Sequence, residues 1–441
     1  MRVLITGATA AVFTLFSLPA ESLDASVVAS YTAEYTDNTA RLTDNETAEL
    51  IHRPGVLGAL SHDGDSVTAS LNYQVERRIH EKSIFSDETI GTGSGLFEWR
   101  AVPDRLALYA TNSRTDTTID ARGQDTPDNR QTLEYTSAGA DLTLDSVSNH
   151  QVVFGYKFGR TSTEETRTDS NRHIGTMEYV VPLSGISQLG LLGTLSDVDF
   201  DNPLAPDYRS RSGELQFSSG TRKLQYGISA GYQTIDRDLN RETIDGFVGA
   251  ANAMYRFSEN TALALDASRN IQDTFDSGAR EFTVTENGLP NRTDTNEVYT
   301  EDSFGLSLAT QRGRTQLNFG AFYSERDYED LALNEDRSGL TFGAARQVSR
   351  KSTIGIDAGL EDREFVDLGE DETFLRGSVF FLYAPWRALS LQLTVAYNER
   401  DSNENTADYE EWVGLFTVRY LVFGNPNSIN SNSGGSSSAT R

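Results

Sequence analysis

The chain of 441 residues contains no cysteine. A disulfide framework is therefore excluded, and so is a lipid anchor attached through a thiol. The five histidines form no H-E-x-x-H motif and have no thiolate beside them, which argues against a zinc site. They are His52, His62, His80, His150 and His173. We expect neither a metal site nor a cofactor.

Long apolar runs are scarce, and the one sustained run lies at the start of the chain. Val3 to Leu18 follows Met1-Arg2 and precedes Pro19-Ala20. This pattern predicts a Sec signal peptide over residues 1–20, with cleavage as late as residue 25 as an alternative. An N-terminal membrane anchor is the other interpretation, although the run is short for a span. No later window approaches the roughly 18 apolar residues of a transmembrane helix.

Basic residues are few: 38 Lys and Arg stand against 65 Asp and Glu, which gives a net charge of −27. Nucleic acid is a poor partner for such a chain, because its phosphates attract an excess of Lys and Arg. The hydrophobic fraction of 37% is also below the usual value of about 45–50%. The 22 Phe and 18 Tyr nevertheless argue against disorder.

The chain does show a regular alternation of apolar residues with polar or small ones. Val152, Phe154, Tyr156 and Phe158 point to one side of a strand, and the residues between them point to the other. The pattern returns about twenty times between Val27 and Phe423, with short turns and long polar connections in strict alternation. It predicts an all-β protein, a single transmembrane antiparallel up-and-down β-barrel of about 18–20 strands over residues 26–423. Residues 424–441, rich in Ser, Asn and Gly, are expected to form a flexible tail.

The expected location is the outer membrane of a Gram-negative cell, with membrane lipid and the barrel-assembly machinery as partners. Short turns are expected in the periplasm and long connections outside the cell. The long connections include residues 112–130, 324–336, 361–372 and 398–407, and most of the acidic residues are expected there. Pro54, within the second strand, requires a bulge or an unpaired N–H.

The face opposite the apolar one should line the lumen. It is expected to be small and neutral-polar with scattered charges, and the lumen-lining candidates are Lys157, Gln225, Ser229, Gln316, Asn318, Asp357, Gln392 and Thr394. The three tryptophans, Trp99, Trp386 and Trp412, fall where strands meet an expected interface, as in an aromatic girdle.

Catalytic and calcium motifs are weak. Asp197, Asp199 and Asp201 have the first spacings of an EF-hand loop but lack its later Gly and Glu. Ser170 and His173 are close in sequence, with Asp169 before them, but a triad is recognised by geometry and not by proximity in the chain. We therefore expect no enzyme activity, and keep a barrel enzyme at the outer rim as a third alternative.

One stretch carries a family resemblance. Tyr35-Thr36-Asp37-Asn38, within residues 31–42, is followed by His52-Arg53-Pro54-Gly55. This start resembles the family of outer-membrane β-barrels associated with exopolysaccharide operons. The resemblance implies a strand number near eighteen and a pore through which exopolysaccharide leaves the cell, with a periplasmic polysaccharide-export protein as partner. The function expected from the sequence is therefore passive guidance of a secreted polysaccharide. The alternative is a general diffusion porin for small hydrophilic solutes.

Overall fold

The structure, a computed structural model, describes residues 23–120, 122–145, 150–166, 169–203, 205–239, 241–273, 297–329, 331–403 and 408–424. Twenty strands account for almost all of the regular structure in these residues. They are β1 (Leu23–Thr36), β2 (Glu49–Asp63), β3 (Val67–His80), β4 (Glu88–Val102), β5 (Leu106–Thr118), β6 (Arg130–Asp145), β7 (Gln151–Thr163), β8 (Ser170–Ser184), β9 (Ser187–Phe200), β10 (Tyr208–Gly220), β11 (Leu224–Arg237), β12 (Ile244–Ser258), β13 (Thr261–Asp273), β14 (Val298–Arg312), β15 (Thr315–Tyr328), β16 (Glu335–Ser349), β17 (Ser352–Phe365), β18 (Glu370–Trp386), β19 (Leu389–Ser402) and β20 (Tyr409–Phe423).

Each strand pairs antiparallel with its neighbours in the chain, and β1 also pairs with β20. Tyr31 of β1, for example, lies opposite Pro54 of β2 and Val418 of β20. The sheet is therefore a closed up-and-down barrel without free edges. This confirms the predicted fold class and the upper end of the predicted strand number. Eighteen strands, the number implied by the family resemblance, is two too few.

The barrel begins slightly earlier than predicted. Leu23 already pairs with His62, and Ala25 pairs with Leu60. Cleavage as late as residue 25 would thus remove paired residues of β1. The predicted signal peptide and the predicted tail beyond Gly424 lie outside the described residues.

The outer surface of the barrel is apolar. Phe154 and Tyr156 of β7 are 42% and 51% exposed, and exposed large apolar side chains recur on the other strands except β5. Other members of this belt are Tyr31, Val56, Leu71, Val75, Leu191, Ile228, Phe304, Phe342, Val379, Leu393 and Phe416. Such a surface is stable only against lipid. Among the described residues, no helix is long and apolar enough to cross a membrane.

The strands are longer than the membrane requires. They have 13 to 17 residues, whereas about 9–11 tilted residues span the hydrocarbon core. The excess lies at the end with the long connections, here called the loop end; the other end is the short-turn end. The connection predicted over 324–336 is in fact only the segment between Tyr328 and Glu335. Charged residues predicted in loops therefore belong to strands.

Three local irregularities match the chemistry of their residues. Arg53 and Pro54 have no partners in the otherwise regular register between β2 and β3, so the missing N–H of proline costs nothing there. A Cβ on Gly93, whose φ is +155°, would lie 2.7 Å from the Tyr73 ring, which explains a glycine at that point of β4. A bulge between Tyr383 and Trp386 shifts the register at the end of β18.

Candidate functional site in the barrel lumen

Alternation with the lipid-facing belt places the predicted lumen-lining residues on the inner face of the barrel. In β11, Gln225 and Ser229 alternate with Leu224 and Ile228, which are 38% and 54% exposed to the outside. The same parity holds for the other candidates, which alternate with exposed apolar neighbours: Lys157 in β7, Gln316 and Asn318 in β15, Asp357 in β17, and Gln392 and Thr394 in β19. These strands are spread around the barrel, so the eight residues line a wall and do not form one cluster.

The wall of β8 to β13 near the short-turn end is polar and concave, and its charged residues include Glu178 and Asp266. Gln225 lines a cavity of about 690 Å³ there together with Gln188, Ser218 and Asn252. Ser229 lines an adjoining cavity of about 230 Å³ with Gln216. Amides and hydroxyls of this kind can donate and accept hydrogen bonds without a net charge.

Three lumen carboxylates each lie opposite a glycine of the next strand. The pairs are Asp141–Gly155, Asp266–Gly305 and Asp357–Gly343. A Cβ on each glycine would lie 2.4 to 3.0 Å from the facing carboxylate oxygen, so the missing side chain makes room for the carboxylate. Each aspartate lies four or five residues from the short-turn end of its strand. None of the three has a hydrogen bond or an ion pair within the described part of the chain.

The loop-end half of the lumen is charged, contrary to the expectation of a neutral-polar lining. A series of paired Arg and Glu side chains runs along the inner faces of consecutive strands from β14 to β20, and we call it the charge ladder. Its members are Glu301, Arg326, Glu335, Arg337, Glu361, Arg363, Glu372 and Arg400, and it ends at Glu411 of β20, which accepts a hydrogen bond from Asn398 of β19. Each rung joins neighbouring strands, so the ladder follows the circumference of the barrel.

Glu335 is the centre of the ladder. Its carboxylate lies 2.9 Å from Arg326, 2.9 Å from Arg363 and 3.7 Å from Arg337. The side chains of Glu335, Arg326 and Arg363 are at most 4% exposed. Charges this deeply buried are tolerable only when they are paired. The ladder is therefore a cooperative unit.

One aromatic ring is embedded in the ladder. Phe374 of β18 has the guanidinium groups of Arg363, Arg376 and Arg400 between 5.3 and 5.8 Å from its ring centroid. Guanidinium groups stack favourably on such rings. Phe374 thus packs the arginines that Glu372 and Glu335 neutralise.

A second series of charged pairs lies on β1 to β4, beyond the seam at which β20 pairs with β1. Arg53 of β2 donates to Glu34 of β1 at 2.6 Å and to Glu76 of β3 at 2.8 Å. Arg78 then joins Glu76 to Glu88 of β4. Most of the loop-end circumference is therefore lined by alternating charges.

The described part of the connection between β5 and β6, residues 119–120 and 122–129, crosses the mouth of the barrel and is called the strap. Arg400 of β19 donates to the carbonyl oxygens of Arg122 and Gly123, at 2.5 and 3.0 Å. Arg41, in the connection between β1 and β2, lies 3.1 Å from the Asp125 carboxylate. The strap and β19 are separated around the barrel by β20, β1, β2, β3 and β4. The strap therefore runs inward over the lumen instead of outward into solvent.

The strap is held by charge. Burial alone would raise the pKa of Asp125, but ion pairs with Arg130 at 2.6 Å and with Arg41 outweigh this effect and hold the pKa below its usual range. The pKa of Arg41 is raised for the same reason: Tyr409, Glu411 and Asp125 overcome the opposing effect of burial. Both groups are thus charged at every physiological pH. The ion pairs that hold the strap are therefore not a pH switch near neutrality.

The opposite side of the mouth has a separate closure. Arg172 of β8 and Asp273 of β13 form an ion pair of 2.5 Å, and Tyr208 of β10 donates to the same carboxylate at 3.0 Å. The side chains of Arg172 and Asp273 are 1% and 0% exposed. A buried apolar cluster adjoins them, made of Val198, Phe200, Ala205, Tyr208, Ile235, Ile244, Val248, Ile271 and Val298. β12 and β13 no longer pair beyond Gly249 and Arg269, and the carbonyl oxygen of Ile271 in β13 instead accepts a hydrogen bond of 2.9 Å from Gln233 of β11.

The three tryptophans lie on the outer surface near strand ends. Trp99 and Trp386 are 46% and 69% exposed at the short-turn end, and Trp412 is 54% exposed at the loop end. Trp386 reaches the outside because the bulge in β18 brings it opposite Leu389. The tryptophans thus lie at both ends of the barrel, where the sequence predicts an aromatic girdle.

The residues considered for catalysis do not come together. Ser170 is buried on the inner side of β8, whereas His173 lies on the outer side and its Nδ1 is 2.8 Å from the Tyr156 hydroxyl. Asp197 pairs with Arg209 on the outer face, at 3.0 Å. Within the described residues, no group of three His, Cys, Asp or Glu side chains could hold a metal ion. Ser170 and His173 are close in the sequence, but their side chains lie on opposite faces of β8.

The residues that carry the family resemblance have a structural role at the seam. Asp37 accepts a hydrogen bond from the Trp412 backbone N–H at 2.8 Å. Asn38, fully buried, donates to the carbonyl oxygens of Leu42 and Glu410 at 2.8 and 3.0 Å. Thr36 donates to Glu411 at 2.8 Å. The motif therefore fastens β1 to β20, where the barrel closes.

No family model matches this chain, and no curated protein matches it. Among solved structures, a variant of the ferric enterobactin receptor of Pseudomonas aeruginosa in complex with enterobactin is 9% identical, with a TM-score of 0.50 over 90% of this chain and 81% of the receptor. The siderophore receptor PirA of Acinetobacter baumannii is 8% identical, with a TM-score of 0.50 over 90% of this chain and 80% of PirA. OccK2 of Pseudomonas aeruginosa in complex with glucuronate is 9% identical, with a TM-score of 0.41 over 91% of this chain and 99% of OccK2. The likeness to the two receptors concerns the fold: this chain is an outer-membrane type of β-barrel.

Proposed function

We propose that this protein is a passive outer-membrane channel for small hydrophilic solutes. The strap carries the proposal, because Arg400 and Arg41 hold its backbone and its Asp125 across the mouth. An inward segment tied to the opposite wall narrows the passage and selects by size. The polar lower wall, whose unpaired carboxylates include Asp141, Asp266 and Asp357, keeps the remaining passage wetted.

The lumen carboxylates also determine whether the channel prefers cations or anions. Asp141, Asp266 and Asp357 lie at a similar height on β6, β13 and β17 and have no cationic partner among the described residues. Acidic groups around a pore favour cations. The charge ladder does not oppose this preference, since its arginines are already paired with glutamates. We therefore propose a preference for cations over anions.

Polysaccharide export is the second candidate. It is favoured by the amide-rich lower wall, where Gln188, Gln216, Gln225 and Asn252 could bond to sugar hydroxyls. In that case a periplasmic polysaccharide-export protein would be the partner. A polymer, however, needs a passage without crossing segments, and both the strap and the Arg172–Asp273 pair cross the mouth. We therefore place export after diffusion of small solutes.

Two measurements separate these candidates. Purified protein in a planar bilayer should show steady cation-preferring conductance if it is a diffusion channel. A cell without the gene should then secrete polysaccharide normally. The opposite result would be a loss of polysaccharide outside the cell, its accumulation in the periplasm, and no conductance in the bilayer. That result would establish export and overturn our proposal.

A further inference from the structure

The larger cavity of the lower wall contains a row of residues that runs straight across five strands, from β9 to β13. Each member lies directly opposite the next on the neighbouring strand, and the members are Gln188, Ser218, Gly227, Asn252 and Asp266. All five line the cavity of about 690 Å³. A cavity of this size with a few convergent polar groups is typical of a site for a small molecule.

Asp266 and Asn252 lie opposite each other, but their side chains lean apart. A Cβ on Gly305 would lie 2.4 Å from a carboxylate oxygen of Asp266, so the carboxylate leans toward β14. A Cβ on Gly227 would lie 3.0 Å from Oδ1 of Asn252, so the amide leans toward β11. No hydrogen bond joins the two side chains within the described part of the chain. The two glycines therefore leave a gap between the carboxylate and the amide.

The polar groups around this gap have no partners in the protein. Gln225, Asn252 and Asp266 form neither a hydrogen bond nor an ion pair with another described residue. Gln225 lies opposite Met254, which makes it a diagonal neighbour of Asn252, and such neighbours are about 7–8 Å apart at their backbones. Amides donate and accept hydrogen bonds, whereas a carboxylate only accepts them. One small solute can therefore reach two neutral groups and one charged acceptor.

The charges near the cavity favour a cationic solute. Asp266 lines this cavity and Glu178 lines the adjoining one, and no basic residue lines either of them among the described residues. Arg256 is on the same face of β12 as Asn252, but it lies four residues, about 13 Å, farther toward the short-turn end. An ammonium group beside Asp266 is therefore stabilised, and an anionic group is repelled.

We propose that this row is a binding subsite for amino sugars, which are polyhydroxylated rings that carry one ammonium group. The ammonium group donates to the Asp266 carboxylate, and the ring hydroxyls bond to the amides of Asn252 and Gln225. Hydrogen bonds between charged partners are about twice as strong as neutral ones, so Asp266 provides the preference for a charged sugar. The inference rests on the cation-preferring channel proposed above, because a subsite in the lumen wall selects what passes.

Two methionines make the subsite observable by NMR. Met254 lines the cavity, whereas Met177 is 50% exposed on the outer face of β8 and serves as an internal control. The sample is the detergent-solubilised full chain with isotope-labelled methionine methyl groups. The probes are glucosamine, glucose and cyclohexylamine at about pH 6, where both amines are charged.

Glucosamine should shift the Met254 signal saturably and leave the Met177 signal in place. Glucose lacks the ammonium group and cyclohexylamine lacks the hydroxyls, so each should bind about tenfold more weakly. Equal affinities for the three probes, equal shifts of both methionine signals, or no saturable shift with glucosamine would overturn the proposal.

Variants separate the charged contact from the hydroxyl contacts. D266N should weaken glucosamine binding about tenfold and leave glucose binding unchanged, because it removes only the charge. N252A should weaken the binding of both sugars by a similar factor of about five. D141N is the matched control, since Asp141 is also a lumen carboxylate opposite a glycine but lies on β6. A preference for glucosamine over glucose that survives in D266N, or an equal loss in D141N, would contradict the assignment. Gel mobility before and after heating verifies that each variant is folded.

The channel and the subsite can fail separately. If the protein conducts in a bilayer but glucosamine does not shift the Met254 signal, the subsite is wrong and the channel stands. If the three probes bind in the predicted order but the bilayer shows no conductance, the channel is wrong. The NMR titration does not depend on conductance, so each result has one meaning.

Discussion

Arg400 of β19 donates a hydrogen bond of 3.0 Å to the carbonyl oxygen of Gly123, which belongs to the connection between β5 and β6. This contact joins two sides of the barrel mouth. It is reinforced on the β1 side by Arg41 and Asp125. The strap is therefore fixed at both the backbone and the side-chain level, and its release should change the size of the passage.

Replacing Asp125 with Asn should loosen the strap. The change removes the charge that pairs with Arg41 and Arg130, pairs that are partly exposed and so worth about 1 kcal/mol. A loss of that size increases the population of a released strap about fivefold. Single-channel recording should show more frequent transitions to a larger conductance. R222Q, a charge change in an exposed short turn, is the control and should leave the conductance as it is.

Lowering the pH should release the strap, as the Asp125→Asn substitution does, only when the medium is strongly acidic. The pKa of Asp125 in the folded protein is depressed, so its contribution is present above the unfolded value of about 3.9 and is lost only as the pH falls through the lower folded value. Strap-dependent conductance should therefore be constant from pH 8 to about pH 4.5. Release between pH 7 and 5 would show that another group holds the strap.

The centre of the charge ladder should dominate the stability of the loop end. Glu335 contacts three arginines, and E335Q would leave a buried positive charge without its partner. We expect the free energy of unfolding in detergent to fall by about 3–5 kcal/mol. E325Q is the matched control, because Glu325 is nearby on the outer face of β15. If the free energy of unfolding falls by a similar amount in both variants, the charge ladder contributes little to stability.

The parts of the fold that depend on lipid contact were predictable from the sequence. Phe154, Tyr156 and their counterparts must alternate with polar residues wherever a strand crosses the membrane, so each crossing leaves a visible pattern. The short turns were also found, because glycine and aspartate mark them.

The charged half of the lumen was not predictable in the same way. Above the membrane both faces of a strand are polar, so the apolar alternation stops before the strand does. Glu335, Arg363 and Arg400 therefore looked like loop residues. A weaker signal was present, since Glu361 and Arg363, two positions apart, lie on one face of a strand. The strap could not be foreseen, because its contacts join residues about 280 positions apart.

Closure of the barrel should depend on Asn38. Its side chain is completely buried and bonds to the backbone of Leu42 and Glu410. N38A would leave these backbone groups unsatisfied, at about 1–3 kcal/mol for each group. We expect a lower yield of folded barrel in the outer membrane and a lower unfolding temperature in detergent. E46A, in the same connection but exposed and outside the left-handed backbone region, should behave like the unchanged protein.

Charge selectivity should depend on the three lumen aspartates. The triple variant D141N/D266N/D357N removes three unpaired negative charges of the lower lumen and leaves the ladder intact. In a KCl gradient the reversal potential of the unchanged protein should indicate a preference for K⁺, and that of the variant should move toward zero. The facing glycines make the test specific, because asparagine has nearly the same shape as aspartate and fits the same space beside Gly155, Gly305 and Gly343. A preference that survives in the variant would assign selectivity to the loop end and contradict the role proposed for the lower wall.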